Sequence, residues 1–321
     1  MQTTRWLVMR SLNAVLTMLG VSALVFLAVR QMPGSYADIV LGPLSSPAEK
    51  AEFASEYGLD SSIIEQYVRW LFEAVQGNLG TSLVSQLPVS EEFGLRLPVT
   101  ISLAVMALVL TIAIGLPLGV YSATRGGSGG GAVGRLVSGI GISLPEFVLG
   151  SLVVFLFSRY SLGLTIGDFT PISDGVGASV RSLILPAGVL AVFCIAATAR
   201  TTRDAVLGVL VEPHIGAAVA RGESKAFILR HHVLRNAAIP VLTLTATITA
   251  YLLGGAIVIE AVFDIPGLGS YLVAALDRRD YAVIQAGVLV ATVVFVATSL
   301  LVDLLSGLID PRVSATKGGR S

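Results

Sequence analysis

Six stretches of this 321-residue chain are each apolar enough and long enough to cross a lipid bilayer, and no other feature narrows its possible folds as much. They occupy residues 11–29, 97–121, 136–158, 182–199, 236–259 and 281–309. A hydrocarbon core about 30 Å thick needs about 20 apolar residues at helical rise. Where water is absent the backbone must satisfy its own hydrogen bonds, which a helix does within one segment. A membrane barrel would instead show segments of about ten residues with alternating polarity. Charged residues make up 13% of the chain against 54% hydrophobic, where a soluble domain carries about a quarter charged. The expectation is an all-α, polytopic membrane protein with six transmembrane helices.

Arg5 and Arg10 precede the first apolar run, and Ser35-Tyr36-Ala37 offers a small-x-small cleavage site, as in a secretory signal. That run is too long for a typical signal and five more follow, so it reads as a retained first helix. Lys and Arg in short loops set the orientation. With the N-terminus inside, segments 1–10, 122–135, 200–235 and 310–321 hold thirteen of them, and the other side holds eight. Four of those eight fall in 30–96, a segment too long to count for much. Both termini are therefore expected in the cytoplasm, in a multi-pass protein of the cell (inner or plasma) membrane. The order along the chain is a tail at 1–10, a first helix at 11–29, an external segment at 30–96, a five-helix core at 97–309 containing a cytoplasmic loop at 200–235, and a tail at 310–321.

In the external segment, Ile64, Tyr67, Val68, Leu71, Phe72 and Val75 share one helical face, which predicts short amphipathic helices rather than a separate domain. The stretch TRGGSGGGAVGR after the second span reads as a flexible connector. It lacks the Lys-Ser/Thr ending of a phosphate-binding loop, and no strand precedes it. Nothing else in the chain resembles a nucleotide site, so any ATP chemistry linked to it belongs to another subunit. The formal net charge of zero gives no reason to expect nucleic acid. The single cysteine, Cys194, lies within the fourth span and reads as a small buried hydrophobe. No His, Cys or carboxylate cluster has metal-ligand spacing, and no catalytic constellation is visible.

The loop at 200–235 is much longer than a turn between antiparallel helices needs, so it must hold structure of its own. Pro213 and Gly222 predict breaks, and Ser224 is placed to cap a following helix. On an α-helical wheel Ala226, Phe227, Leu229, Val233 and Leu234 share a broad arc, with Ile228 outside it and Arg230 inside. Composition alone fits a basic loop near lipid headgroups. Its spacing, however, resembles the loop of importer-type ABC permeases: Glu-Ala-Ala, three residues, Gly, nine residues, an apolar position, and Leu-Pro. Ala217, Ala218 and Gly222 keep that register, while Gly216, His232 and Arg235 depart from it. HHVLRN resembles a variant found in the dipeptide and oligopeptide permeases. So do FDIPGLGSYLVAALDRRDY (263–281), DLLSGLIDPR (303–312) and, in part, MPGS (32–35).

The resemblance covers nearly the whole chain. It implies the B-type permease subunit of an ABC importer, with a homologous second permease subunit, two ATPase subunits that hold ATP and Mg, and an external substrate-binding protein. It also implies that Ala217, Ala218, Arg221, Gly222, Glu223, Ser224, Lys225 and Phe227 form a coupling helix docking on an ATPase, with Gly222 allowing a bend and the two alanines keeping the docking face thin. The cargo implied is peptide; nickel, a haem-like ligand or glutathione fit the same family, and a secondary transporter needing no ATPase is a rival of another class. Glu146 lies mid-span beside Pro145, which is expected to kink the helix. Two roles fit Glu146: packing against another helix, or lining the route and contacting a substrate amine or amide. Asp277, Arg278, Arg279 and Asp280 read as a cluster capping the outer loop, with contact to a binding protein as a second possibility. Asp303 reads as reaching the interface or pairing with Arg312. Gly254-Gly255 read as sites of close helix packing, with hinges as the alternative.

Overall fold

The computed structural model describes residues 2–31, 41–42, 44–56, 59–125, 139, 141–160, 167 and 169–309, with side chains described from residue 8 to 301 apart from Ala246. The MPGS element, most of the glycine-rich loop, the C-terminal tail and the Asp303 side chain therefore lie outside the described residues. In chain order the helices are α1 (Gln2–Arg30), α2 (Pro47–Glu56), α3 (Ile63–Val75), α4 (Val89–Thr124), α5 (Glu146–Arg159), α6 (Val176–Leu210), α7 (Pro213–Ala220), α8 (Lys225–Phe263), α9 (Leu268–Arg278) and α10 (Tyr281–Ile309).

Five of these are long and apolar enough to cross a membrane, within α1, α4, α6, α8 and α10. Four of the five overrun the expected stretches, because hydropathy marks only the hydrocarbon portion of a helix and charged turns continue it. At the start of α4, for example, Glu91 and Glu92 sit in the first turn, where the helix dipole favours acids, and Glu92 pairs with Arg96 at 2.9 Å. Pro186 and Pro240 lie inside α6 and α8 and do not end them. The third expected span differs. A bend at Leu144 and an extended Pro145 (φ −63°, ψ 133°) separate helical residues 141–143 from α5, whose 14 residues are too few to cross alone. The kink expected at Pro145 is thus a full break, because the ring cannot donate to the preceding turn.

The chain divides into two compact units. The first comprises residues 1–97 and 271–297. In it Phe26 of α1 packs with Tyr67 and Trp70 of α3, and Ser22 meets the Tyr67 hydroxyl at 2.8 Å. Ser62 and Glu65 form a capping box that starts α3. The expected apolar face of α3 is divided: Tyr67 and Leu71 are half-buried, whereas Ile64, Val68, Phe72 and Val75 are exposed. In the charged cluster before α10, Asp277, Arg278 and Arg279 are exposed, but Asp280 is buried. Asp280 accepts from Ser82 Oγ at 2.5 Å and from the Val84 and Val283 amides, so it caps α10 and ties it to the turn at 80–89.

The second unit comprises residues 98–270 and 298–321. Its core joins Leu103 and Ala107 of α4, Leu183, Leu190 and Cys194 of α6, and Ile248, Leu252 and Ile259 of α8. Cys194 is fully buried among them, as expected of a small hydrophobe. Lipid tails are as apolar as leucine, so helices in a membrane associate through close packing. Gly115 and Gly119, four residues apart on α4, provide it: a Cβ there would come within 2.9 Å of Thr198 Cβ and 2.5 Å of Thr202 Cβ on α6.

Candidate functional site

The coupling residues expected from sequence lie in α7, the turn that follows it and the first three residues of α8. α6 ends at Leu210, and α7 starts with Pro213 at its first position, where a missing amide costs nothing. α7 ends in a Schellman turn: Glu223 N donates to Ala218 O at 3.2 Å and Gly222 N to Val219 O at 2.9 Å. The turn needs a left-handed residue after the cap, and Gly222 supplies it at φ +80°. A residue with a Cβ would cost about 1–2 kcal/mol in that conformation. Ser224 then caps α8, its hydroxyl accepting from Phe227 N at 3.3 Å. The breaks at Pro213 and Gly222 and the Ser224 cap are all present. Nothing in this chain lies within 4 Å of where a Gly222 Cβ would be.

Side chains lock this turn. Arg221 donates to Glu223 Oε1 through both Nε (3.0 Å) and Nη2 (2.7 Å), and His232 Nε2 lies 2.9 Å from the other oxygen. The Arg221 hydrogen bonds, aided by His232, hold the Glu223 carboxyl below its ordinary range. Phe227 stacks on His231 with ring centroids 4.2 Å apart. Beneath the turn, Ile215, Ala218, Ile228 and Val233 pack with Val206 and Val209 of α6 and Ala123 of α4.

Two expectations about the exposed face are corrected here. Ala218 is fully buried and does not belong to that face; helical spacing from Ile215 turns it inward. The outward surface of α7 is instead Gly216, Ala217, Val219 and Ala220, with Val219 61% exposed. Ile228, placed outside the apolar arc on the wheel, is buried, and Ala226, placed inside it, is exposed. The cause is a π-helical turn over Ile228–Val233. At 100° per residue Ile228 and Val233 stand 140° apart, but the i→i+5 repeat of a π turn brings them to one side. Arg221, Ser224, Lys225 and Phe227 are exposed, and Glu223 is half-buried.

Glu146 lies apart from that segment in sequence and opens α5 at its first position. Its Oε1 accepts from the Tyr251 hydroxyl of α8, and Oε2 is 3.1 Å from where a Cβ on Gly255 would lie. Gly255 therefore does pack closely, against Glu146 and Leu190, whereas Gly254 faces open space. Tyr251 is 42% exposed, and Phe193 packs beside its ring at 5.0 Å. A carboxylate near the centre of a bilayer costs about 2.5–3.5 kcal/mol on insertion scales, so this face must meet protein or water.

Glu260 was not anticipated. It lies one residue past the fifth apolar stretch and is fully buried. Its Oε2 accepts from the amides of Gly269 (2.7 Å) and Ser270 (3.1 Å), the first turn of α9. Nearby, Thr100 Oγ1 accepts from Leu268 N at 2.9 Å. This explains the glycines of the IPGLG stretch: a Cβ on Gly267 would overlap the Glu260 carboxylate, and one on Gly269 would overlap Ile257. The available signal was a helix start with no Ser, Thr, Asp or Asn at its head, whose free amides need an acceptor from elsewhere.

Residues 115–315 match the family described as binding-protein-dependent transport system inner membrane component, and residues 3–104 match the N-terminal family of the same components. The chain is 37% identical over 303 residues to a probable peptide ABC transporter permease protein of Sinorhizobium fredii, covering 94% of this chain and 95% of that one. It is 38% identical over 310 residues to a putative peptide transport system permease protein of Brucella abortus, covering 97% and 99%. The dipeptide transport system permease protein DppB of Escherichia coli is 36% identical over 337 residues, with 97% and 99% covered.

Proposed function

Because this chain belongs to the family of binding-protein-dependent transport system inner membrane components, we propose that it forms one membrane-spanning half of an ATP-driven importer of short peptides. The observation that carries the reading is the outward face of α7 with the turn after it. Gly216, Ala217, Val219 and Ala220 form a small-residue surface, and the Schellman turn and the Arg221–Glu223–His232 network hold it in one shape. Such a surface fits a groove on a partner, and Arg221 and Lys225 beside it suit an acidic rim.

In this reading the segment faces the cytoplasm together with both termini, and the segment containing α2 and α3 lies outside. Two ATPase subunits bind ATP and Mg and close on each other. Each grips one coupling segment, one on this chain and one on the homologous second permease. Since α7 is joined by short connections to α6 and α8, movement of the segment is transmitted to two spans of the second unit's core. The two permease halves then alternate between outward- and inward-facing states, and an external binding protein delivers the peptide. Residues of this chain supply no ATP chemistry; they supply the lever and half of the route.

The test is uptake of a radiolabelled dipeptide into proteoliposomes containing the full assembly. Uptake that requires ATP inside and binding protein outside supports the reading. Uptake driven by an ion gradient without ATP overturns it.

A further inference from the structure

We infer that Glu146 and Tyr251 form a contact point inside the translocation route that recognises the amino terminus of a passing peptide. The inference rests on the peptide-import reading above and names the residues that would serve it. Three independent features of the second unit meet at this place. The first is the break at Leu144 and Pro145, which puts irregular backbone within an apolar span. At membrane depth such backbone is tolerated where it is buried in protein or lines water. The second is the carboxylate itself, which opens α5 and is only partly buried. The third is the face of α8 that it meets. Thr243, Thr247, Tyr251, Gly254 and Val258 are all exposed and recur every three or four residues, so one side of this span carries two threonines and a tyrosine.

The two threonine hydroxyls donate to the carbonyls four residues before them, at Ile239 and Thr243, so lipid could tolerate them. Glu146 and Tyr251 are the groups that decide the matter. Tyr251 spends its proton on Glu146 Oε1, which leaves the phenol oxygen as an acceptor beside the second carboxylate oxygen. Two acceptors side by side, one on a carboxylate, suit a donor-only cation. A peptide's α-ammonium is such a group, with three donors and no acceptor, and every peptide with a free amino terminus carries it whatever its side chains. Along α8, Tyr251 is about 23 Å from residue 236 and about 12 Å from residue 259 at helical rise, so the contact lies well inside the apolar stretch. Gly255 leaves room for the carboxylate, and Gly254 keeps the approach beside Tyr251 open.

The test uses the complete transporter in proteoliposomes, with alanyl-alanine as the probe and the ratio of peptide imported to ATP hydrolysed as the readout. Loss of one charge-assisted contact predicts that Glu146→Gln lowers this ratio about tenfold. Tyr251→Phe should lower it less, and Glu146→Asp should recover part of it. If Glu146 only held α5 against α8, import and hydrolysis would fall together and the ratio would stay, which would overturn the inference. A second measurement does not depend on how Glu146 variants fold. In a Cys194→Ser background, Thr247→Cys should react with a membrane-impermeant thiol reagent during turnover, and failure to react would show that this face is covered. If the wild-type assembly does not import alanyl-alanine, the peptide reading itself fails; if wild type and Glu146→Gln import it equally well, only the present inference does.

Discussion

Replacing Gly267 by alanine should unlock α9. The added methyl would occupy the space of the Glu260 carboxylate, which is fully buried and bonded to the Gly269 and Ser270 amides. The carboxylate is held near backbone and cannot swing into solvent, so it must leave one or both amides. Hydrogen bonds to charged groups contribute about 1.5–3 kcal/mol each, so losing both costs about 3–6 kcal/mol. Glu260→Ala alone leaves one buried and one half-buried donor, the Gly269 and Ser270 amides, without an acceptor, at about 2–6 kcal/mol as an upper range. The double variant Gly267→Ala with Glu260→Ala should be no less stable than Glu260→Ala, because its methyl enters vacated space. The chain's single cysteine, Cys194, is buried in the core of the same unit, so its reaction with a fluorogenic maleimide on heating reports unfolding when the other subunits are cysteine-free. Additive losses in the double variant, or a Gly267→Ala melting temperature equal to wild type, would refute the assignment of Gly267 as the space that Glu260 needs.

Other positions give sharper or milder effects. Gly119→Leu should destabilise the second unit by about 1–3 kcal/mol or more through overpacking against Thr202, seen as a lower melting temperature in the same thiol assay. Gly222→Ala should cost about 1–2 kcal/mol at its left-handed turn. Gly222→Trp should insert into the membrane normally, since nothing in this chain crowds the site, yet lose uptake while the binding protein's affinity for peptide is unchanged. The Glu223 carboxyl is held below its ordinary value of 4.5 by Arg221 and His232, so its folded form binds protons less readily than its unfolded one. Its contribution to the order of the turn is therefore complete above pH 4.5, declines as pH falls below that, and is gone only beneath the lowered value. Amide exchange at Gly222 and Glu223 followed across that window measures it, and Glu223→Gln should abolish the transition.

What the sequence reveals and conceals divides along physical lines. Apolar length exposes the spans, because a bilayer demands it of each one separately. Pro213, Gly222 and Ser224 are legible because each acts on the backbone within a few residues. Ala218 and Ile228 were misplaced for different reasons: Ala218 can face either way on a short helix of small residues, and Ile228 sits in a π turn that an α-helical wheel cannot represent. Pro145 marks its helix correctly, but only the structure shows that α5 starts afresh there. Glu260 escaped because the amides it caps lie nine and ten residues on, beyond the end of its own helix, and Asp280 was read only as one of a charged cluster because Ser82, which it binds, is 198 positions away. A charge at the end of an apolar run looks like an interface residue until the helix start it caps is placed beside it.

The coupling surface can be tested by direct contact. A photoreactive amino acid at Val219, an exposed position on α7, should cross-link to an ATPase subunit in the intact assembly, and the yield should change between nucleotide-free and ATP-trapped states. A cross-link to the external binding protein, or none to any ATP-binding subunit in either state, would contradict the account.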